Sequence, residues 1–320
     1  MITEKAMLAA VHISVWTATK HDKQVSRDVA NRHGAHENAG RYNKKLLQQA
    51  EKLEAIRTLA SQIRAYFYQL TLPWSDEGYR ILPANLYFEL SQKMAEFEHA
   101  FHSAVTLFLA EYPSYIEQVR PALNGLFRAE DYPDPAKIRE KFELRLEILP
   151  IPSGNDFRGA LSEEQRSRIS REIDSNVREA LHRGTQDLWL RLRRVVEHMV
   201  SRLSDPEGRL YASVVENIRD LVEVLPQLNI ARDPDLESFV EEIGTRLCAY
   251  SAKELKHNEL LRATTAQDAA DIAARLSAHL DPSPAPPVFA DAGSAPLTTP
   301  VAPSADDIFA QMSGYMAAAT

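Results

Sequence analysis

Residues 51–70, EKLEAIRTLASQIRAYFYQL, decide the fold class of this chain. Apolar side chains recur here every three or four residues, at Leu53, Ile56, Ala60, Ile63, Phe67 and Leu70. This spacing predicts one apolar stripe along a long α-helix, which Pro73 ends. A second stripe of the same kind follows at Leu86, Leu90, Met94, Phe97, Phe101, Ala104 and Phe108, up to Pro113. We therefore expect a long antiparallel helical hairpin, coiled-coil-like, whose two stripes bury each other.

Two short segments alternate between apolar and polar residues, which is typical of a half-buried β-strand. The first segment spans residues 11–16, VHISVW, and the second spans residues 142–148, FELRLEI, before Pro150. We expect the two strands to form a small two-stranded antiparallel element that packs on the helices. Trp16 is predicted to be a core anchor against the hairpin rather than a platform for a ligand. The predicted fold class is therefore mainly α, with the hairpin, a helical bundle and this small β element.

Composition shifts divide the chain into four predicted parts. Residues 1–152 hold the first strand, the hairpin and the second strand, and residues 153–280 form a second helical region that opens with the capping box of Ser162 and Gln165. Residues 281–303 are rich in Pro, Ala and Ser, which predicts a disordered tether. Residues 304–320 are predicted to form a short amphipathic helix, whose partner-binding face would comprise Ile308, Phe309, Met312, Tyr315 and Met316. Whether that helix docks on its own chain or on a partner stays open.

The overall composition is that of an ordinary globular protein. The 320 residues are 44% apolar and 26% charged, and the chain contains one cysteine, Cys248. A single cysteine cannot form an internal disulfide. The N-terminal segment lacks the pattern of a signal peptide, and no stretch is apolar over the roughly 18 residues of a membrane span. We therefore expect a cytoplasmic protein with no membrane partner.

The sequence does not favour an enzyme. It contains no Walker loop, no GxGxxG, no GxSxG and no HExxH motif. The Glu-x-x-His pairs at Glu96/His99, Glu179/His182 and Glu254/His257 resemble the pairs of di-iron bundles. The first two pairs flank the apolar stripes instead of lying on them, so no metal site is predicted. The expectation is a nonenzymatic protein with no catalytic residue and no cofactor.

Charge is distributed unevenly around the net charge of −8. Residues 1–57 hold ten Lys/Arg and six Asp/Glu, whereas residues 203–320 hold eight and eighteen. The basic segment, residues 20–45, offers candidate contacts to nucleic-acid phosphates at Lys20, Lys23, Arg41, Lys44 and Lys45. The alternative is a solvated helix face. Nucleic-acid binding is therefore kept as the second functional hypothesis, behind binding to a protein.

The residues 11–20, VHISVWTATK, followed by the basic segment, Lys45-Leu46-Leu47, the hairpin and the second strand, resemble a bacterial and phage family described only as a domain of unknown function. The resemblance covers about residues 8–270. Thr19 departs from the usual W-T-A-[RK]-K run. Members of that family are often encoded in prophage or plasmid regions, near a MoxR-type AAA ATPase and a protein with a von Willebrand factor A domain. The resemblance implies one of those two proteins as a partner, and it implies no catalytic residues.

These observations together predict an interaction or adaptor component of a phage or mobile element, working with an AAA ATPase remodelling system. The alternative is a nucleic-acid-binding protein of phage DNA metabolism that uses the basic segment. Apolar stripes do not reveal whether a helix pairs within the chain or across a homo-oligomer, so the oligomeric state stays open.

Overall fold

The computed structural model describes residues 2–75, 78–154, 162–205 and 210–280. These ranges are mainly helical. The helices are α1 Lys23–Arg32, α2 Glu51–Gln69, α3 Tyr87–Leu123, α4 Pro135–Arg139, α5 Glu163–Ser204, α6 Ala212–Leu228, α7 Pro234–Arg246, α8 Ala252–His257 and α9 Glu259–Leu280. The strands are β1 Ala6–Ser14, β2 Thr19–His21, β3 Asn43–Lys45, β4 Leu72–Pro73, β5 Arg80–Pro83 and β6 Glu143–Pro150. The predicted fold class is thus confirmed in its coarse form, a helical protein with a small β component.

The β component is larger than the two strands predicted from sequence. One sheet has the order β4-β5-β1-β6, and β2 and β3 form a separate antiparallel pair. In the larger sheet β5 pairs antiparallel with both β4 and β1, with Ala6 opposite Pro83 and Leu72 opposite Ile81. The two predicted strands are neighbours there, as β1 and β6. The other four have two to four residues each, too few to show an alternation.

The chain divides into two compact units that are not continuous in sequence. Unit 1 contains Met1–Ala10, Tyr68–Phe88 and the chain from Ile148 onward, and unit 2 contains Val11–Phe67 and Glu89–Glu147. The predicted domain boundary at residue 152 does not match this division into units. The difference arises because β4, in the middle of the predicted N-terminal part, packs against α5 of the predicted second region, and β5 connects β4 to the N-terminal residues of β1.

In unit 2, the helices α2 and α3 both contribute buried apolar side chains to the core. The two helices run antiparallel, since the Lys52 backbone amide donates to the Tyr115 hydroxyl near the start of α2 and the Tyr66 hydroxyl donates to Glu89 near its end. The coiled-coil-like geometry predicted for this pair stays a prediction. Trp16 is buried with its ring 6.3 Å from that of Phe108, which confirms its expected role as a core anchor.

The third helix is longer than the sequence predicts. The expectation that it stops at Pro113 is wrong, because α3 continues through Pro113 to Leu123. A proline inside a helix removes one hydrogen bond and costs about 3 kcal/mol. The side chains of Tyr112, Tyr115 and Val119, all at most 6% exposed, offset that cost by packing the helix on both sides of the proline.

The core of unit 1 is arranged around the 42-residue helix α5, which packs against α6, α9 and β4. Its capping box at Ser162 and Gln165 is present as predicted. A Cβ atom added at Gly184 would lie 3.3 Å from Leu72 Cδ1, so the absence of a side chain lets the helix approach β4 closely. No helix within the described ranges combines the length and the apolar character needed to cross a bilayer.

Candidate interaction surfaces

A buried lysine lies at the centre of the first candidate surface, in unit 2. The Lys44 side chain is 2% exposed, and its ammonium donates to the carbonyl oxygen of Leu126 over 2.7 Å. The same ammonium forms ion pairs with Asp131 and, over 3.6 Å, with Asp22. A buried ammonium requires such partners, because an isolated charge away from water is strongly unfavourable. Lys44 therefore ties β3 to the turn at residues 126–131 and to the start of α1.

The strand pair β2–β3 places a second lysine beside the first. Lys20 lies directly opposite Lys44 in the antiparallel register, where two like charges repel each other. Asp131 accepts from the Lys20 ammonium over 2.7 Å as well as from Lys44. One carboxylate thus bridges the two lysines and turns a repulsive cross-strand pair into a stabilising network, which we call the lysine clasp: Lys20, Lys44, Asp22 and Asp131.

Both carboxylates of the lysine clasp are held in their charged form. The backbone amide of Val25 is the main cause of the lowered pKa of Asp22, whose side chain also caps α1 by accepting from Gln24 N over 3.1 Å. Burial raises the pKa of Asp131, but hydrogen bonds from Lys20 and Lys44 lower it by more, so the net pKa lies below the usual value. Both carboxylates of the clasp are therefore negatively charged at neutral pH.

A cleft of about 640 Å³ opens above the lysine clasp. It lies between one face of α1, formed by residues 24, 27, 28 and 31, and the turn at residues 128–131. Its lining contains five cationic side chains, Lys20, Lys23, Arg27, Lys44 and Arg128, and four carboxylates, Asp22, Asp28, Glu130 and Asp131, and we call it the basic cleft. The Nε atom of Arg27 lies 3.8 Å from Oε2 of Glu37, and the Arg128 guanidinium donates to the side-chain amide oxygen of Gln24 over 2.8 Å. Within the described residues, neither Lys23 nor Arg128 forms an ion pair with a carboxylate.

The structure separates the five predicted nucleic-acid contacts into two groups. Lys20, Lys23, Arg41 and Lys45 are exposed. The prediction for Lys44 is wrong, because its ammonium is buried and occupied by two carboxylates and a carbonyl. Sequence analysis missed Arg128 and Asp131, which lie far along the chain and carry no local signal that relates them to the basic segment.

The second candidate for partner contact is a set of exposed apolar side chains in unit 1. Among the large apolar residues that the structure describes, Phe88 and Leu260 are the most exposed, at 75% and 76%. Phe88 lies in the first turn of α3, next to Tyr87, which is 43% exposed, and Leu260 lies in the first turn of α9. We call Tyr87, Phe88 and Leu260 the apolar helix starts. These side chains are exposed although other apolar residues of the same helices, such as Leu90 and Ile272, are fully buried.

Several predicted features remain outside these two surfaces. Ile308, Phe309, Met312, Tyr315 and Met316 all lie outside the described residues, as do the predicted tether and tail helix. Cys248 is partly buried, and burial raises the pKa of its thiol, which favours the protonated form over a reactive thiolate. In the described part of the chain, no three His, Cys, Asp or Glu side chains are grouped so that they could hold a metal ion.

Comparison with known proteins identifies no relative: no family model, no curated protein and no solved structure matches the chain. The resemblance to the phage-associated family of unknown function therefore stays a prediction based on the residues quoted for it. The chain itself offers two features for function, the basic cleft and the apolar helix starts.

Proposed function

We propose that the protein is a nonenzymatic adaptor that binds a protein partner through the apolar helix starts. The observation that carries this proposal is the exposure of Phe88 and Leu260, about three-quarters each, in the first turns of two helices of unit 1. Aromatic side chains are enriched in protein interfaces and depleted from the rest of the surface. The amphipathic pattern of residues 304–320 independently favours an interaction component.

The energetics of these side chains support a binding role. Fully burying a Phe or Leu side chain contributes about 1.5–3 kcal/mol relative to leaving it in water. Phe88 and Leu260 contribute only a small part of that to folding, because most of their surface stays in water in the folded chain. A partner that covers either side chain would gain most of that free energy on binding.

The resemblance described above indicates which partners to test first. A MoxR-type AAA ATPase and a von Willebrand factor A protein are the partners it implies, in the setting of a phage or mobile element. We propose that the chain connects one of these proteins to a remodelling system, and that the C-terminal segment 304–320 supplies a further contact through its apolar residues.

The test is direct binding between purified proteins. The full chain would be titrated against a MoxR-type AAA ATPase and a von Willebrand factor A protein of the kind that the resemblance implies, with affinity measured by biolayer interferometry. We expect Phe88→Ala and Leu260→Ala each to weaken binding about tenfold, which corresponds to about 1.4 kcal/mol. A chain truncated before residue 304 measures the contribution of the C-terminal segment separately.

Leu107 provides the matched control, because it is also an exposed apolar residue of α3, at 57%, but belongs to unit 2. Leu107→Ala should bind as tightly as the unchanged chain. Wild-type affinity in both Phe88→Ala and Leu260→Ala would refute the role of the apolar helix starts. Absence of binding to both candidate proteins would remove the partners that the resemblance implies.

A further inference from the structure

The basic segment has a local charge opposite to that of the whole protein. Residues 20–45 contain seven Lys/Arg and three Asp/Glu, in a chain whose net charge is −8. Two cations of the segment, Lys20 and Lys44, are paired with Asp22 and Asp131 in the lysine clasp. The five others are exposed and outnumber the two exposed carboxylates of the segment, Asp28 and Glu37. Acidic proteins do not bind polyanions through their overall charge, so this surface would act through its local field.

The cations are displayed on a rigid support. The lysine clasp fixes β2, β3 and the turn at residues 126–131, and Asp22 and Ser26 join the start of α1 to the same support. Lys23 and Arg128 are therefore presented from backbone that is held by several hydrogen bonds. A preorganised cationic rim loses less conformational entropy when an anion binds than a flexible segment does.

The basic segment also contains an exposed aromatic residue. Tyr42 is 40% exposed, and the exposed side chains of Arg41 and Lys45 are close to it in sequence. Its carbonyl oxygen accepts from Asp22 N over 2.9 Å, and its amide donates to the hydroxyl of Ser26 over 3.0 Å. Asp22 also lines the basic cleft. The backbone of Tyr42 is thus attached directly to the wall of the cleft.

We propose that the basic cleft and Tyr42 form a binding surface for single-stranded nucleic acid. Lys23 and Arg128 contact the phosphodiester backbone, and the ring of Tyr42 stacks on an unpaired base. Single-strand-binding surfaces combine these two elements, a cationic groove and exposed aromatic rings, and they tolerate any sequence because every base has a π face. A duplex offers no free base face for stacking along its length, so the surface favours single strands.

The test is fluorescence anisotropy of labelled 20-nucleotide poly(dT), poly(U) and a 20-base-pair DNA duplex, each titrated with the full chain at several salt concentrations. We expect single strands to bind more tightly than the duplex, and the two single-stranded arms to distinguish DNA from RNA. Replacing both Lys23 and Arg128 with alanine should reduce the magnitude of the slope of log K against log salt by about 1.4, since each phosphate contact to a single strand contributes about 0.7.

Tyr42 is tested by a pair of variants. Tyr42→Ala should weaken binding to poly(dT) by about fivefold or more, because it removes a stacking ring, whereas Tyr42→Phe should keep most of the affinity. The matched charge control is a double replacement of Lys253 and Lys256 with alanine, which removes two exposed cations of α8 in unit 1 and should leave binding unchanged.

Three results would overturn the proposal. The first is no binding of poly(dT) or poly(U) at low salt, and the second is duplex binding as tight as single-strand binding with no effect of Tyr42→Ala. The third is equal displacement of poly(dT) by poly-glutamate, which would assign the surface to acidic proteins. None of these results affects the apolar helix starts, which are tested with a different ligand.

Discussion

The lysine clasp makes a quantitative prediction that can be examined one residue at a time. Replacing Asp131 with Asn keeps the shape of the side chain but removes the charge that bridges Lys20 and Lys44. The Asp131 side chain is 5% exposed and that of Lys44 is 2% exposed. The substitution therefore leaves a buried ammonium without its closest carboxylate.

The expected cost follows from what remains around Lys44. Breaking a buried ion pair by removing one partner typically costs about 3–5 kcal/mol. Lys44 keeps the Leu126 carbonyl at 2.7 Å and the Asp22 carboxylate at 3.6 Å, and the latter attraction is about 5 kcal/mol at an effective dielectric constant of about 20. We therefore expect the lower end of the range, about 3 kcal/mol.

Amide hydrogen exchange measured by mass spectrometry reports this loss locally. The amides of Asp22 and Leu46, which donate to the carbonyls of Tyr42 and Ala18, report on both sides of the clasp. A loss of about 3 kcal/mol accelerates exchange through local opening more than about 100-fold. The neighbouring residue supplies the control: Glu130 is exposed, and Glu130→Gln should change stability by less than about 0.5 kcal/mol. Equal exchange rates in Asp131→Asn and Glu130→Gln would refute a stabilising role for the clasp.

Three further predictions concern pH, packing and the long helix α5. The pKa of Asp131 is lowered in the folded chain. The stability that this carboxylate contributes is therefore present above its unfolded pKa of about 3.9 and is lost as the pH falls through the folded pKa. Between pH 7 and pH 3, the urea midpoint of unfolding should fall less in Asp131→Asn than in the unchanged chain. Gly184→Leu should lower the free energy of unfolding by about 1–3 kcal/mol in urea titrations, because the new side chain would overlap Leu72. Arg191 donates to the carbonyls of Gln69 and Thr71 and pairs with Asp187 over 2.7 Å; Arg191→Ala should lower the melting temperature clearly, and the exposed Arg194→Ala should not.

The helical class and the two longest strands could be predicted because their signals are local. The stripe from Leu53 to Leu70 is a property of neighbouring residues, since positions three and four apart share one face of a helix. The continuation of α3 beyond Pro113 could not be predicted, since the local rule ends a helix at proline and only the packing of Tyr112, Tyr115 and Val119 offsets it.

The candidate surfaces were predictable only in part. Sequence indicated the basic segment, and the exposed positions of Lys20, Lys23, Arg41 and Lys45 agree with it. The short strands β2 and β3 were missed, since three residues show no periodicity. The exposure of Phe88 agrees with the apolar stripe at Leu86, Leu90 and Met94, which does not include it, although no function was assigned to it from sequence.

By itself, the sequence determined that this chain builds long amphipathic helices and two alternating strands, because periodicity and capping act between residues a few positions apart. The tertiary structure alone decided what Lys44 does. Its ammonium meets a carbonyl oxygen 82 residues further along the chain, and no pattern in the neighbouring sequence distinguishes it from the exposed Lys45. Because Lys44 is buried beside two carboxylates, it stabilises the fold. Because Lys45 is exposed to solvent, it is available to a ligand.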